Sequence, residues 1–112
     1  ESLDIIIINL IINAVDAMEN GGEIKIDCVR GPETVTISIS DTGIGISKEI
    51  MASIFNPFFT TKYNRNGGGL GLYIVYNETS KLNGTICVES EIGQGAKFIL
   101  QLPARTGEEF HE

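Results

Sequence analysis

Hydrophobic residues fill positions 5–15 except at Asn9 and Asn13, and the run Ile5-Ile6-Ile7-Ile8 taken alone would suit a buried strand. The polar positions decide otherwise. At 100° per residue, Asn9, Asn13, Asp16 and Asn20 fall within about 60° of one another, whereas a strand would divide them between two faces. The pattern predicts a helix over residues 3–18, ended by Asn20-Gly21-Gly22, whose residues tolerate a left-handed backbone. Apart from the amide stripe this helix is apolar nearly all round, which predicts that it is buried.

The period then changes from helical to alternating. Residues 23–29 and 34–40 carry Ile24, Ile26 and Cys28 on one face and Val35, Ile37 and Ile39 on the matching face, with Arg30-Gly31-Pro32-Glu33 between them. This predicts a hairpin covered on one side. Ser47 is placed to cap a short helix over residues 48–55, and Pro57 with residues 60–69 reads as an irregular loop. Helical spacing returns over residues 70–82 and stops at Asn83-Gly84. A second hairpin, 85–90 with 97–102, turns at Gly93-Gln94-Gly95. The layout predicts an α+β domain over residues 1–103. It is a two-layer α/β sandwich, a mixed but mostly antiparallel sheet with three helices on one face, followed by a polar tail over residues 104–112.

Composition narrows the picture. A chain of 112 residues, 42% hydrophobic and 21% charged, makes one small folded domain and excludes disorder. The net charge of −7, from 15 acidic and 8 basic residues, argues against a nucleic-acid or anionic-membrane surface. The apolar run at 5–15 is too short to span a bilayer and lacks the basic flank of a signal peptide. Cys28 and Cys87 have no metal-binding or redox spacing; they read as reduced, buried strand residues, a bridge between them being the alternative. The 13 glycines exceed the usual ~7% and suggest tight turns or loops that approach a ligand.

Four features carry candidate chemistry. The Asn9–Asn13 stripe is either a solvent-facing face or a set of amide oxygens suited to Mg²⁺ bearing phosphates and waters. Asp41-Thr42-Gly43-Ile44-Gly45-Ile46, at the end of a strand, is either an ordinary Asp-Gly turn or an acceptor for an exocyclic amine beside glycines that admit a flat ring. Asn66-Gly67-Gly68-Gly69-Leu70-Gly71-Leu72 runs into a helix and offers free N–H groups to phosphate, the alternative being a flexible linker. It matches neither common phosphate-loop spacing. Phe55-Asn56-Pro57-Phe58-Phe59-Thr60-Thr61-Lys62 puts three of the five phenylalanines in five residues, either a hydrophobic anchor for the loop or an exposed contact patch. The nearby Lys62 and Arg65 are either cations that meet phosphate oxygens or solvated loop charges.

In this order and spacing the four features resemble the ATP-binding catalytic domain of two-component sensor histidine kinases. These adopt the Bergerat fold, shared with DNA gyrase, the mismatch-repair ATPases and the large heat-shock chaperones. The resemblance covers residues 3–103. Asn9 to Ala14 is similar to the N box, Asp41 to Ile46 to the G1 box, Phe55 to Lys62 to the F box, and Gly67 to Leu72 to the G2 box. Gly93-Gln94-Gly95-Ala96-Lys97-Phe98 resembles the final glycine turn of the family.

The resemblance implies ATP and Mg²⁺ as cofactors, with Asn13 on the metal and Asn9 near the metal or phosphates. It implies that Asp41 takes the adenine amine and that Gly43 and Gly45 admit the ring. Gly67, Gly69 and Gly71, with Leu70 and Leu72, would shape a lid, and Lys62 and Arg65 would lie near the phosphates. Water-splitting relatives carry a Glu general base four positions before the metal-binding Asn; Asn9 stands there and cannot take a proton. Phosphoryl transfer by positioning, with slow hydrolysis, is the implied activity.

The partners implied are a dimerisation domain bearing the phospho-accepting histidine and, indirectly, a response regulator, with a cytoplasmic location. No catalytic residue is assigned within the chain, and His111 in the tail lies outside any acceptor-like sequence. Ala96 stands where the family usually has Thr or Ser, and strands expected before the N box are expected to be missing. A regulatory nucleotide-binding module and a gyrase-like ATPase are the alternative readings.

Overall fold

The computed structural model describes residues 2–55 and 71–104. Helix α1 (Ser2–Asp16) buries Ile6, Leu10 and Ala14, spaced four apart on one stripe. Ile7 also packs partly against the core, but Ile5, Ile8, Ile12 and Val15 are exposed, so the expectation of a helix buried all round does not hold. The helix also ends earlier than its periodicity predicts. The Ala17 N–H is shared between the carbonyls of Asn13 and Ala14 at 3.1 and 3.2 Å, and the Met18 N–H bonds to Val15, tightening the last turn.

Strands β1 (Ile24–Arg30) and β2 (Thr34–Asp41) form the first hairpin, with Ile26 opposite Ile39 and Cys28 opposite Ile37. Helix α2 (Lys48–Met51) is shorter than predicted, and its N-cap Ser47 makes no side-chain cap hydrogen bond. The chain beyond it turns so that Ile54 enters the core. Helix α3 (Gly71–Lys81) ends where expected, with Asn83 in the left-handed conformation at φ 60°. There the Asn83 N–H bonds to Ser80 and the Gly84 N–H to Thr79, both at 3.0 Å, a Schellman cap built on asparagine instead of glycine.

Strands β3 (Thr85–Ser90) and β4 (Ala96–Pro103) complete a sheet of order β1-β2-β4-β3 in which all neighbouring pairs described are antiparallel. The parallel component expected of a mixed sheet is not found among the described residues. Ile39 and Val88 flank Phe98, and Ile37 and Ile86 flank Leu100, giving a continuous apolar face. Helices α1 and α3 pack on each other and over this face, α1 against β2 and α3 against β3. The core they close contains Ile6, Leu10, Ile39, Ile54, Leu72, Val75, Phe98 and Leu100, with the Phe55 ring edge-on to Phe98 at 6.3 Å.

Neither cysteine is buried. Cys28 lies on the helix-side face, but on the edge strand β1, which the helices do not roof; its neighbour Ile26 is 52% exposed. Cys87 lies on the opposite face beside Ile99, away from the helices described. Alternation identified the faces correctly and overestimated what covers them. No helix among the described residues is long and apolar enough to cross a membrane.

Candidate functional site

The site is assembled at the end of the sheet where β2 stops, between the C-terminal half of α1 and the turn joining β3 to β4. Asp41 is the last residue of β2 and is 7% exposed. Its Oδ1 accepts two backbone hydrogen bonds, from the Gly43 N–H at 2.8 Å and from the Ala96 N–H at 3.3 Å. Burial pushes this carboxyl above its ordinary value, and the two N–H donors oppose the shift without cancelling it. The second oxygen takes part in neither bond. An acceptor held in one orientation, with an oxygen to spare and little water around it, suits a directional donor such as a ring amine.

The loop after Asp41 is fastened on both sides. Toward α1, the Ile44 N–H bonds to the Ala17 carbonyl at 3.1 Å, and the Glu23 N–H bonds to the Thr42 hydroxyl at 3.0 Å. Toward β3, the Gly93 N–H bonds to the Ile44 carbonyl at 2.7 Å, and the Ile46 N–H bonds to the Ser90 hydroxyl at 2.7 Å. The two loop glycines serve these contacts. A Cβ on Gly43 would collide with the Ala17 carbonyl, and one on Gly45, which has φ 79°, would collide with the Glu91 carbonyl. The space their missing side chains leave is taken by the protein's own backbone.

Asn9 and Asn13 lie one turn apart on α1, both half-buried. The Asn9 amide nitrogen donates to the Ile5 carbonyl at 2.8 Å, which turns its oxygen outward from the helix. That oxygen lies beside the start of α3: a Cβ on Gly71 would sit 3.3 Å from it. The structure therefore brings Asn9 and Gly71 together, and the first buried residue of α3, Leu72, anchors this junction in the core. Lys62, Arg65, Gly67, Gly69 and Leu70 lie outside the described residues.

Mg²⁺ carrying phosphates needs few protein ligands because waters and phosphate oxygens supply the rest. The half-buried Asn13 amide fits that role. Among the described residues no cluster of three or more His, Cys, Asp or Glu side chains could hold a metal alone. An open depression of about 450 Å³ is lined by Asp41 itself together with Ser40, Glu89, Ser90, Lys97 and the β3–β4 turn. It includes neither Asn9 nor Asn13.

Sequence reasoning passed over Ser90 and Ala17 as parts of this site and gave Thr42 no role within its motif. Ser90 had a faint signal, a polar residue on the inward face of an alternating strand. Ala17 acts through its carbonyl, which leaves no mark in the side-chain pattern.

Comparison with known proteins accords with this geometry. Residues 1–106 match the family described as histidine kinase-, DNA gyrase B- and HSP90-like ATPase, and the chain belongs to that family. Within it, several similar relatives are named sensor histidine kinases. Sensor histidine kinase ZraS of Escherichia coli O157:H7 is 41% identical over 98 residues, which cover 88% of this chain and 21% of that protein. The chain thus spans about a fifth of the length of that relative. Among solved structures, full-length ShkA in complex with AMPPNP superposes with a TM-score of 0.82 at 33% identity, over 94% of this chain and 22% of that one. The catalytic domain of histidine kinase ThkA superposes with a TM-score of 0.79 at 35% identity, over 91% of this chain and 67% of that one.

Proposed function

We propose that this chain is the nucleotide-holding catalytic domain of a sensor histidine kinase, which binds ATP with Mg²⁺ and presents the γ-phosphoryl to a histidine on a separate dimerisation domain. The observation that carries the reading is Asp41: a buried carboxylate with one oxygen fixed by two backbone N–H groups and the other left for the adenine amine. Asn13 would hold the metal and Asn9 would stand near the metal or phosphates. Gly71 and Leu72 would begin the helix that follows the lid, and Lys62, Arg65, Gly67, Gly69 and Leu70 would belong to the lid over the phosphate chain.

Asn9 also argues for transfer over hydrolysis. A carboxamide has no basic lone pair to accept a proton from water, so the site supplies orientation without a general base. When bound, Mg²⁺ would neutralise charge on the phosphates. The acceptor histidine and the response regulator that would receive the phosphate next are the implied partners, and a domain that uses ATP would lie on the cytoplasmic side.

The test combines the chain with a separate histidine-bearing acceptor domain and γ-labelled ATP. The expected result is acid-labile, base-stable phosphohistidine on the acceptor, with slow multiple-turnover hydrolysis by the chain alone. Brisk hydrolysis without transfer would sink the kinase reading in favour of a gyrase-like ATPase. Nucleotide affinity unchanged in Asn13→Ala and Asp41→Ala would show that the site lies elsewhere.

A further inference from the structure

Ser90 is the last residue of β3, faces the helix side of the sheet and pairs in register with Ala96. Its hydroxyl is used in both senses: the oxygen accepts from the Ile46 N–H at 2.7 Å, and the proton goes to the Gly95 carbonyl at 2.8 Å. One side chain thus ties the loop after Asp41 to the turn before β4. The second bond has a more specific effect, because the Gly95 carbonyl and the Ala96 N–H belong to the same peptide unit. That planar group is gripped at one end by Ser90 and, at the other, donates to Asp41 Oδ1 at 3.3 Å.

We propose that Ser90 is a positioning residue for base recognition: it aims the Gly95–Ala96 peptide at Asp41 Oδ1 and thereby leaves Oδ2 to the exocyclic amine of the purine. Two physical effects act together. A hydrogen bond to a peptide carbonyl polarises the amide and strengthens its N–H as a donor. The same bond also fixes rotation of a peptide that follows a glycine at φ 84°, where the backbone would otherwise have many conformations open to it. Gly95 is pressed against the chain at Asp41, since a Cβ there would collide with the Asp41 carbonyl, so a small rotation of this peptide is felt at the carboxylate directly. The Gly43 N–H remains on Oδ1 if Ser90 is lost, so the carboxylate stays in place but is free to turn.

This role rests on the nucleotide reading above, and the experiment separates the two. The full chain and its Ser90→Ala, Ser90→Thr and Asp41→Asn variants are titrated with Mg·ATP and with Mg·ITP, which carries a carbonyl where ATP carries the amine. In parallel, the amide proton shift of Ala96 is recorded in each. The wild-type chain is expected to prefer ATP. In Ser90→Ala the ATP-to-ITP preference is expected to fall about tenfold, the scale of one lost hydrogen bond, with the Ala96 amide proton moving upfield. Ser90→Thr retains the hydroxyl and is expected to keep both.

A Ser90→Ala variant that weakens both nucleotides equally, or leaves the preference intact, would overturn the proposal, since purely structural damage does not discriminate between bases. A wild-type chain with no preference, matched by Asp41→Asn, would instead remove the base-recognition role of Asp41. Should Ser90→Ala fail to fold, Ser90→Cys supplies the same comparison with a weaker donor of similar size.

Discussion

Gly43 sits directly against Ala17, so close that a Cβ on the glycine would strike the Ala17 carbonyl, whose oxygen accepts the N–H of the next residue, Ile44. The loop after Asp41 and the helix bearing Asn13 are therefore one mechanical unit. Gly43→Ala should destabilise the chain by about 1–3 kcal/mol, the usual scale of overpacking against atoms that cannot move aside. Urea unfolding measures this, with a lower midpoint and an unchanged slope expected. ATP affinity should fall in the same variant, because relief of the clash displaces the loop from the helix.

Asp41 makes the stability of the chain depend on pH in a direction opposite to that of a salt-bridged carboxylate. Its folded-state value is raised above the ordinary 3.8 by burial, so its contribution is fully present below that value and is lost as the pH rises through the raised one. At neutral pH the ionised Asp41 costs stability. Asp41→Asn, which can still accept both N–H groups, should therefore have a higher urea midpoint than wild type at about pH 7, and the gap should narrow toward about pH 4. Nucleotide affinity should behave inversely: strong in wild type at neutral pH, weakening on acidification before an ordinary aspartate would titrate, and low in Asp41→Asn throughout.

Thr79 is 1% exposed in the middle of the fold, and its hydroxyl oxygen has no hydrogen-bond partner among the described residues. An unsatisfied buried hydroxyl costs free energy that an isosteric methyl does not. Thr79→Val should raise stability by about 1 kcal/mol, and Thr79→Ser, which keeps the hydroxyl and loses the packing methyl, should lower it. Denaturant midpoints of the two variants against wild type check the sign of each change.

Cys28 and Cys87 are both exposed in the folded chain. Under native conditions both thiols should react with a neutral maleimide without a preceding unfolding step, so that labelling does not slow when nucleotide stabilises the fold. A burst of two equivalents followed by no slow phase is the expected record.

Much of this fold is written in local patterns, and the parts that are not share a physical cause. The amide spacing at Asn9 and Asn13 identified a helix despite four consecutive isoleucines, and Asn83-Gly84 marked its own stop because a left-handed cap is a short-range event. Strand faces were readable from alternation. What alternation does not encode is whether another layer lies over a face, and so Ile26 and Cys28 were expected in a core that reaches β1 only at Ile24. At the site, Asp41 stood out through the residue types around it. The work of Ser90 depends on a partner across a hairpin and on a loop 44 residues away, and no window of sequence contains both.

The strand that carries Asp41 is not at a sheet edge: β2 lies between β1 and β4, and β4, which supplies the Ala96 N–H, lies between β2 and β3. In amide hydrogen exchange, interior strands open only with the whole domain, whereas edges fray at much lower free energy. Asp41 and the Ala96 N–H that holds it thus lie on strands that should exchange slowest, and their geometry should survive local opening of β1. A ligand held through Asp41 should then protect the central amides of the sheet by an amount set by its affinity and concentration.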